Sequence, residues 1–406
     1  VHGESNRVHY ARVWCDNVII NSKSHPAQNF FFCWRPLNTA TNPTRKDTAF
    51  DLGPERAFNS SPTKHHLLTW GFSMSKYFSY LTRIGVVAGA ALGASPNVYA
   101  DGFELSEKLT VTGFIDMSYS VTEPENGGSS TSSGLDQFEI DFLYDFGQGL
   151  TAQVDLEYQD NGSGEEVDIE QAFISYGVSD SLSIKAGRFL SYSGWETEEP
   201  TGLFQYSGTG YAKYFYGGYQ QGVSALYSGD RYSVALSAVS DLGDLEGEAR
   251  DSSDPGFEFM LALNPVEAWT VKGFYMTDKL DGTSKNTDLI NIWTSYVAGG
   301  LTLAAEVNTS ENAPAAVGFA GVGAEAKGYL LMANYGWDKF GLTFRYHESE
   351  VEDATGDTLE ELSAFTIAPS YAVSDNLLVV LEYRRDEDDI TNESTNSFAI
   401  EALVTF

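Results

Sequence analysis

The sequence predicts an all-β fold: a transmembrane antiparallel up-and-down β-barrel of about sixteen strands, confined to residues 101–406. Three observations lead there. Segments of period-2 alternation recur along the chain, short and long connections alternate between them, and one face of the segments repeats charge while the other repeats aromatics.

The first segment, 109–119, puts Leu109, Val111, Ile115, Met117 and Tyr119 on one face and Thr110, Thr112, Asp116 and Ser118 on the other, with Phe114 breaking the polar side. In 138–146, Glu139, Asp141 and Asp145 oppose the aromatics; in 151–158, Gln153, Asp155 and Glu157 oppose Val154, Leu156 and Tyr158. Further segments fall near 167–177, 181–190, 219–228, 231–240, 256–264, 268–277, 288–297, 300–309, 325–336, 340–348, 361–373, 376–385 and 396–406. Successive strand residues point to opposite faces, so each segment reads as a strand between two different environments.

Short connections rich in Gly, Asn, Asp and Pro occur at Gly147–Gly149, Gly177–Ser181, Ser228–Asp230, Asn264–Ala268, Val297–Gly300, Trp337–Lys339 and Val373–Asn376. Long, mostly acidic ones lie at 122–134, 159–166, 191–218, 241–255, 278–287, 310–324, 349–360 and 386–395. Tight turns at one end and long loops at the other mark a membrane barrel, and an even strand count leaves both termini at the turn end.

Upstream the grammar is different. Residues 1–73 have no sustained period and are read as a non-native or disordered extension ahead of a start at Met74. Residues 74–100 read as a signal peptide: Lys76 and Arg83, an apolar run from Ile84 to Ala94, then Val98, Tyr99 and Ala100 at the cleavage site. That run is too short to span a bilayer as a helix. The exported chain is therefore expected to begin near Asp101.

Residues 101–406 carry 14 Lys+Arg against 52 Asp+Glu. Such acidity argues against nucleic acid as a partner. Both cysteines, Cys15 and Cys33, precede Met74, so the later part has neither a disulfide framework nor a thiolate metal site. No cofactor and no dedicated metal site is expected. A soluble sandwich also alternates apolar and polar residues. Against it stand the charge repeated strand after strand, the chain's end in mid-pattern, and the aromatics near segment ends (Tyr119, Tyr144, Phe146, Tyr158, Tyr176 and Trp269, and on to Tyr383) that resemble interface girdles.

The last segment ends at Phe406 on the apolar face, and in this it resembles the assembly signal of bacterial outer-membrane barrels. Gly113–Asp116 resembles the opening strand of many porins. Asp168–Tyr176, followed by Ala186–Phe189, resembles the porin stretch leading into the third external loop. Together these are similar to the Gram-negative outer-membrane porin superfamily, of the general or OmpL-like kind, over 101–406. The resemblance implies location in the outer membrane in contact with its lipid, assembly by the barrel-assembly machinery through the C-terminal strand, and a homotrimer. Outward small residues Gly113, Ala152 and Ala186 are compatible with subunit contact.

The resemblance also makes loop 191–218 the candidate constriction, with Trp195, Glu196, Glu198, Glu199 and Tyr206 at the pore; the alternative is an ordinary surface loop over the mouth. Alternation assigns Asp116, Glu139, Asp141, Asp155, Glu157, Lys185, Lys272, Glu306, Arg345, Glu382 and Arg384 to the lumen. Arg188 joins them by resemblance. Arg188, Arg345 and Arg384 either form a basic side opposing the loop acids or each pair with a wall carboxylate. Acids outnumber bases, so the expected function is a water-filled channel for small hydrophilic solutes and ions that prefers cations. Two other classes stay open: a structural or surface-binding barrel that conducts little, and an outer-membrane hydrolase. The latter has one histidine after residue 100, His347, and no motif partner for it.

Overall fold

The computed structural model describes residues 102–160, 165–196, 199–242, 254–280 and 282–406. The expected extension 1–73, the expected signal peptide 74–100 and Glu198 lie outside the described residues. A short strand β1 (Phe103–Ser106) precedes the long ones. Then come β2 (Leu109–Pro124), β3 (Ser130–Gly147), β4 (Leu150–Asp160), β5 (Glu165–Gly177) and β6 (Leu182–Leu190). After a long connection follow β7 (Tyr219–Ser228), β8 (Tyr232–Val239), β9 (Gly256–Val266), β10 (Trp269–Lys279), β11 (Asn286–Ala298) and β12 (Leu301–Glu311). A helix α1 (Pro314–Ala320) leads to β13 (Glu325–Trp337), β14 (Phe340–Glu352), β15 (Thr358–Ser374), β16 (Leu377–Asp388) and β17 (Glu393–Thr405).

Every strand from β2 to β17 pairs antiparallel with the next, and β17 returns to β2, so sixteen strands close on themselves without an edge. The seam ends on reciprocal hydrogen bonds: Gly113 N donates to Phe406 O and Phe406 N to Gly113 O, each at 3.0 Å. Beyond Phe406 the start of β2 would lack a neighbour. There β1 folds back and pairs Phe103 with Val111, covering the gap. This small strand has no counterpart in the period-2 reading.

The terminal phenylalanine needs its glycine. A Cβ on Gly113 would collide with the Phe406 ring and the Glu139 carbonyl, and Phe406 stacks on Phe138 with ring centroids 6.5 Å apart. Gly113 is therefore covered by the terminal ring and is not the open small-residue patch expected of it. Gly113→Leu should destabilise barrel closure by about 1–3 kcal/mol, as overpacking does. A lower melting point of the folded, heat-modifiable gel band would register it.

The outer face carries the exposed apolar side chains, among them Ile174, Leu261, Ile292, Leu331, Phe344 and Ile400. At the turn end, Tyr335, Trp337, Phe340 and Tyr371 run ring to ring with centroids 4.9–5.9 Å apart. An apolar band edged by aromatics is the surface a bilayer requires. Among the described residues no helix is long and apolar enough to cross a membrane; the crossing is made by strands.

The strands run further at the loop end than alternation indicated. β2 reaches Pro124, β3 starts at Ser130, and β14 and β15 leave only 353–357 between them. Above an apolar band both faces of a hairpin are wet, so the ladder continues while the polarity contrast that reveals it disappears.

A loop folded across the lumen as candidate functional site

The connection between β6 and β7, residues 191–218, folds inward. Its path is fixed by hydrogen bonds to side chains that the register turns toward the barrel interior. On β9, Glu258 accepts from Ser191 Oγ and Tyr192 N at 2.8 Å each, and from Gln220 Nε2 at 2.6 Å. On β12, Glu306 accepts from Trp195 N at 2.8 Å, Tyr211 OH at 2.7 Å and Asn291 Nδ2 at 2.6 Å, and also from Tyr216 OH. Burial and the adjoining Glu306 together hold the Tyr211 phenol well above its ordinary pKa, so the hydroxyl stays a donor.

The next anchor is ionic. Arg345 on β14 and Glu196 of the loop pair at 2.7 Å with their side chains 0% and 6% exposed. The same guanidinium donates to Ser207 O at 2.5 Å and to Thr366 Oγ1 at 3.2 Å, while Glu196 also accepts from Gln205 Nε2 at 2.9 Å and Thr209 N at 2.8 Å. Arg384 on β16 donates to Gly208 O at 2.5 Å and pairs with Asp386 at 2.6 Å. Ser207 N reaches Glu382 at 3.0 Å, and Tyr206 OH lies 3.0 Å from Ser118 Oγ on β2. The loop thus leaves the wall at β6 and touches β9, β12, β14, β2 and β16 before it returns to β12 at Tyr211.

Its aromatics settle the same way. Trp195, Phe204, Tyr211, Tyr214 and Phe215 are buried in one cluster with Met260, Phe274, Met276, Leu289, Trp293, Leu330 and Met332 of β9–β13. Trp195 meets Trp293 edge-on at 5.3 Å. Phe215 fits because Gly328 opposite has no Cβ to strike its ring. Ala316 of α1 is fully buried in that cluster. The inward face is therefore not charged strand after strand, as alternation suggested. From β8 to β13 apolar and uncharged polar side chains share it under the loop, and its charges Glu258, Lys272 and Glu306 are buried beneath.

Charge faces the interior on the other side. Glu139, Asp141, Asp155 and Glu157 of β3 and β4 sit on the inward alternation, with registers Glu139↔Glu157 and Asp141↔Asp155. A bulge between Asp155 and Leu156 brings in Glu170 of β5. Glu199 of the loop reaches this group, accepting from Tyr219 OH at 3.3 Å; burial, with the neighbouring carboxylates, pushes its pKa up to about 7. Together with Thr201 and Phe114, most of these residues line a crevice of about 330 Å³.

Lys185 points inward, its Nζ 4.3 Å from the ring centres of both Phe189 and Tyr192. Arg188 needs correction. It pairs with Ala172 in the register, on the face opposite inward Lys185 and Phe189, and its guanidinium lies 3.5 Å from Asp168. It does not join Arg345 and Arg384. Those two are not an open row of positive charge either, because one is paired to the loop acid it was expected to oppose and the other to a wall carboxylate. Asp116 is inward and buried beside Glu401 of β17.

Glu258 and Glu401 are buried inward acids that the reading of the strands missed, although both alternate with apolar neighbours and were accessible to the same rule. Glu170 was not, since a bulge shifts parity. His347, 4% exposed and edge-on to Tyr211 at 5.4 Å, lines a cavity of about 310 Å³ with Ser349, Glu360 and Arg384.

Residues 126–406 match the family profile described as "Putative beta-barrel porin-2, OmpL-like". No curated protein gives a significant match. Among solved structures the chain is similar to an anion-selective porin from Comamonas acidovorans, at 13% identity and TM-score 0.58 over 73% of this chain and 99% of that one. It is also similar to Salmonella typhi OmpF in complex with daunomycin, at 17% identity and TM-score 0.58 over 73% and 97%. A third is Vibrio cholerae OmpT in trimer form, at 14% identity and TM-score 0.53 over 74% and 100%. At such identities the likeness carries the fold alone. With the closed sixteen-stranded barrel and the profile match over most of its length, the chain belongs to the OmpL-like β-barrel porin family of the bacterial outer membrane.

Proposed function

We propose that this barrel is a passive diffusion pore for small hydrophilic solutes and ions, that it prefers cations, and that it has no catalytic role. One observation carries the reading: the charges are segregated. Acids line β3–β5 and meet Glu199, whereas Arg345 and Arg384 are engaged with Glu196, Asp386 and loop carbonyls. A solute passing beside the loop meets this stripe of carboxylates, which raises the local cation concentration. The constriction is formed by Glu199 and Tyr206 at the loop edge, with Trp195 and Glu196 holding the loop behind them. That the Comamonas porin is described as anion-selective does not bear against this, because selectivity follows wall charges and not barrel topology.

In a planar bilayer under a KCl gradient, the reversal potential is expected to have the sign of K⁺ preference; an anion-selective sign sinks the proposal. A second reading is a barrel of little conductance. It is favoured by the loop's bonds to opposite walls, from Glu306 on β12 to Ser118 on β2, and single-channel recordings without discrete steps would support it. Against a hydrolase, His347 is 4% exposed, packs edge-on against Tyr211, and its Nδ1 has no hydrogen-bond partner among the described residues. The outward row Ala152, Ile174, Ala186 and Val223, contiguous in the register, supports a subunit contact. The trimer form of the Vibrio relative makes a homotrimer the assembly to test by cross-linking. Export behind residues 74–100 and assembly through Phe406 complete the proposal.

A further inference from the structure

The third loop and the acidic wall meet at a point where three carboxylates converge. One oxygen each from Glu139, Glu170 and Glu199 lies within 4.8 Å of the other two. Glu139 and Glu170 are 4% and 5% exposed, and on each the Oε2 atom accepts no hydrogen bond. Neither residue takes part in an ion pair among the described residues. A buried carboxylate oxygen without a donor is costly, and like charges this close repel unless something positive lies between them.

We propose that the barrel binds one Ca²⁺ ion here, with Glu139 on β3, Glu170 on β5 and Glu199 on the loop as its protein ligands. The donors are all oxygen, which selects a hard cation. Ligand type and number select between the two common ones. Mg²⁺ dehydrates reluctantly and is usually held through one or two carboxylates and several waters, whereas Ca²⁺ takes about six to eight oxygens in a flexible geometry. Three carboxylates whose oxygens lie within 4.8 Å of one another suit Ca²⁺. Asp141 and Asp155, which form a second group with Glu139, add negative charge beside it, and the crevice of about 330 Å³ gives access. The bound ion joins the loop to β3 and β5. Hydrogen bonds hold the loop on the other side of the barrel, so the ion completes its attachment across the lumen. The site depends on the loop's path and not on whether the barrel conducts.

The test uses the full barrel, folded in detergent with excess K⁺ to suppress diffuse binding. Ca²⁺ is titrated by calorimetry, and Tb³⁺ by its luminescence, sensitised through Tyr219, whose hydroxyl donates to Glu199 at 3.3 Å. One saturable ion per chain is expected, with Mg²⁺ weaker by about tenfold or more. Glu199→Gln, Glu139→Gln and Glu170→Gln should each lower affinity to a similar degree, while Glu350→Gln, on the outer part of β14, should not. If a wall variant fails to give the heat-modifiable band of a folded barrel, Glu199→Gln on the loop decides alone. Unchanged binding in Glu199→Gln, or no saturable binding in the wild type, overturns the site. A barrel that binds Ca²⁺ without conducting defeats the pore and keeps the site; one that conducts without binding does the reverse.

Discussion

Arg345→Ala should be the most damaging single substitution inside the barrel, costing about 3–5 kcal/mol of loop attachment. The side chain is fully buried and gathers Glu196, Ser207, Gly208 and Thr366 around one guanidinium. Removing it leaves Glu196 charged and buried without its counter-ion, which is worse than losing one contact. The Ser207 carbonyl then keeps only Gln205 Nε2, at 3.4 Å, and the Gly208 carbonyl only Arg384. Single-channel conductance should rise and become noisy as the loop leaves the lumen, and the folded gel band should melt earlier. The double variant Arg345→Met/Glu196→Leu should recover much of the lost stability, because no orphaned charge remains. Wild-type conductance and melting in Arg345→Ala would mean that apolar packing of Trp195, Phe204 and Phe215 holds the loop unaided.

The second large effect concerns selectivity. Asp141→Asn, Asp155→Asn and Glu157→Gln together remove three wall charges without touching the residues that hold the loop in place. The K⁺-to-Cl⁻ permeability ratio should fall on the order of tenfold, since facing carboxylates in a low-dielectric wall set the local ion concentration. Changing the same three residues to lysine should reverse the sign of the reversal potential. Conductance at symmetric salt should change much less, because the loop and its apolar bed stay where they are. A ratio that stays constant through both sets of variants would place selectivity elsewhere, with Asp116 and Glu401 on β2 and β17 as the next positions to test.

The strands were legible because the two faces of each lie in different media. Leu109 to Tyr119 or Phe138 to Phe146 alternate so regularly that number, order and inward face all follow. Where both faces share a medium the signal fades. Above the apolar band it vanished in water, and β14 and β15 ran longer than foreseen. Under the loop it vanished in a dry interior, where the apolar run Phe259 to Leu263 conceals that Met260 points in and Phe259 out.

By itself the sequence determined a barrel of sixteen strands, its outward aromatic band, an acidic inward stripe on β3 and β4, and a long aromatic loop after β6. These depend on local alternation and turn chemistry, which neighbouring residues settle among themselves. Only the tertiary structure decided which charges meet. Glu196 and Arg345 are 149 residues apart, and no local pattern announces that they form a buried pair and not two sides of an open field. The same holds for Glu199 beside Glu139 and Glu170, brought together by a closed sheet, a bulge and a loop that finds an apolar bed on the far wall.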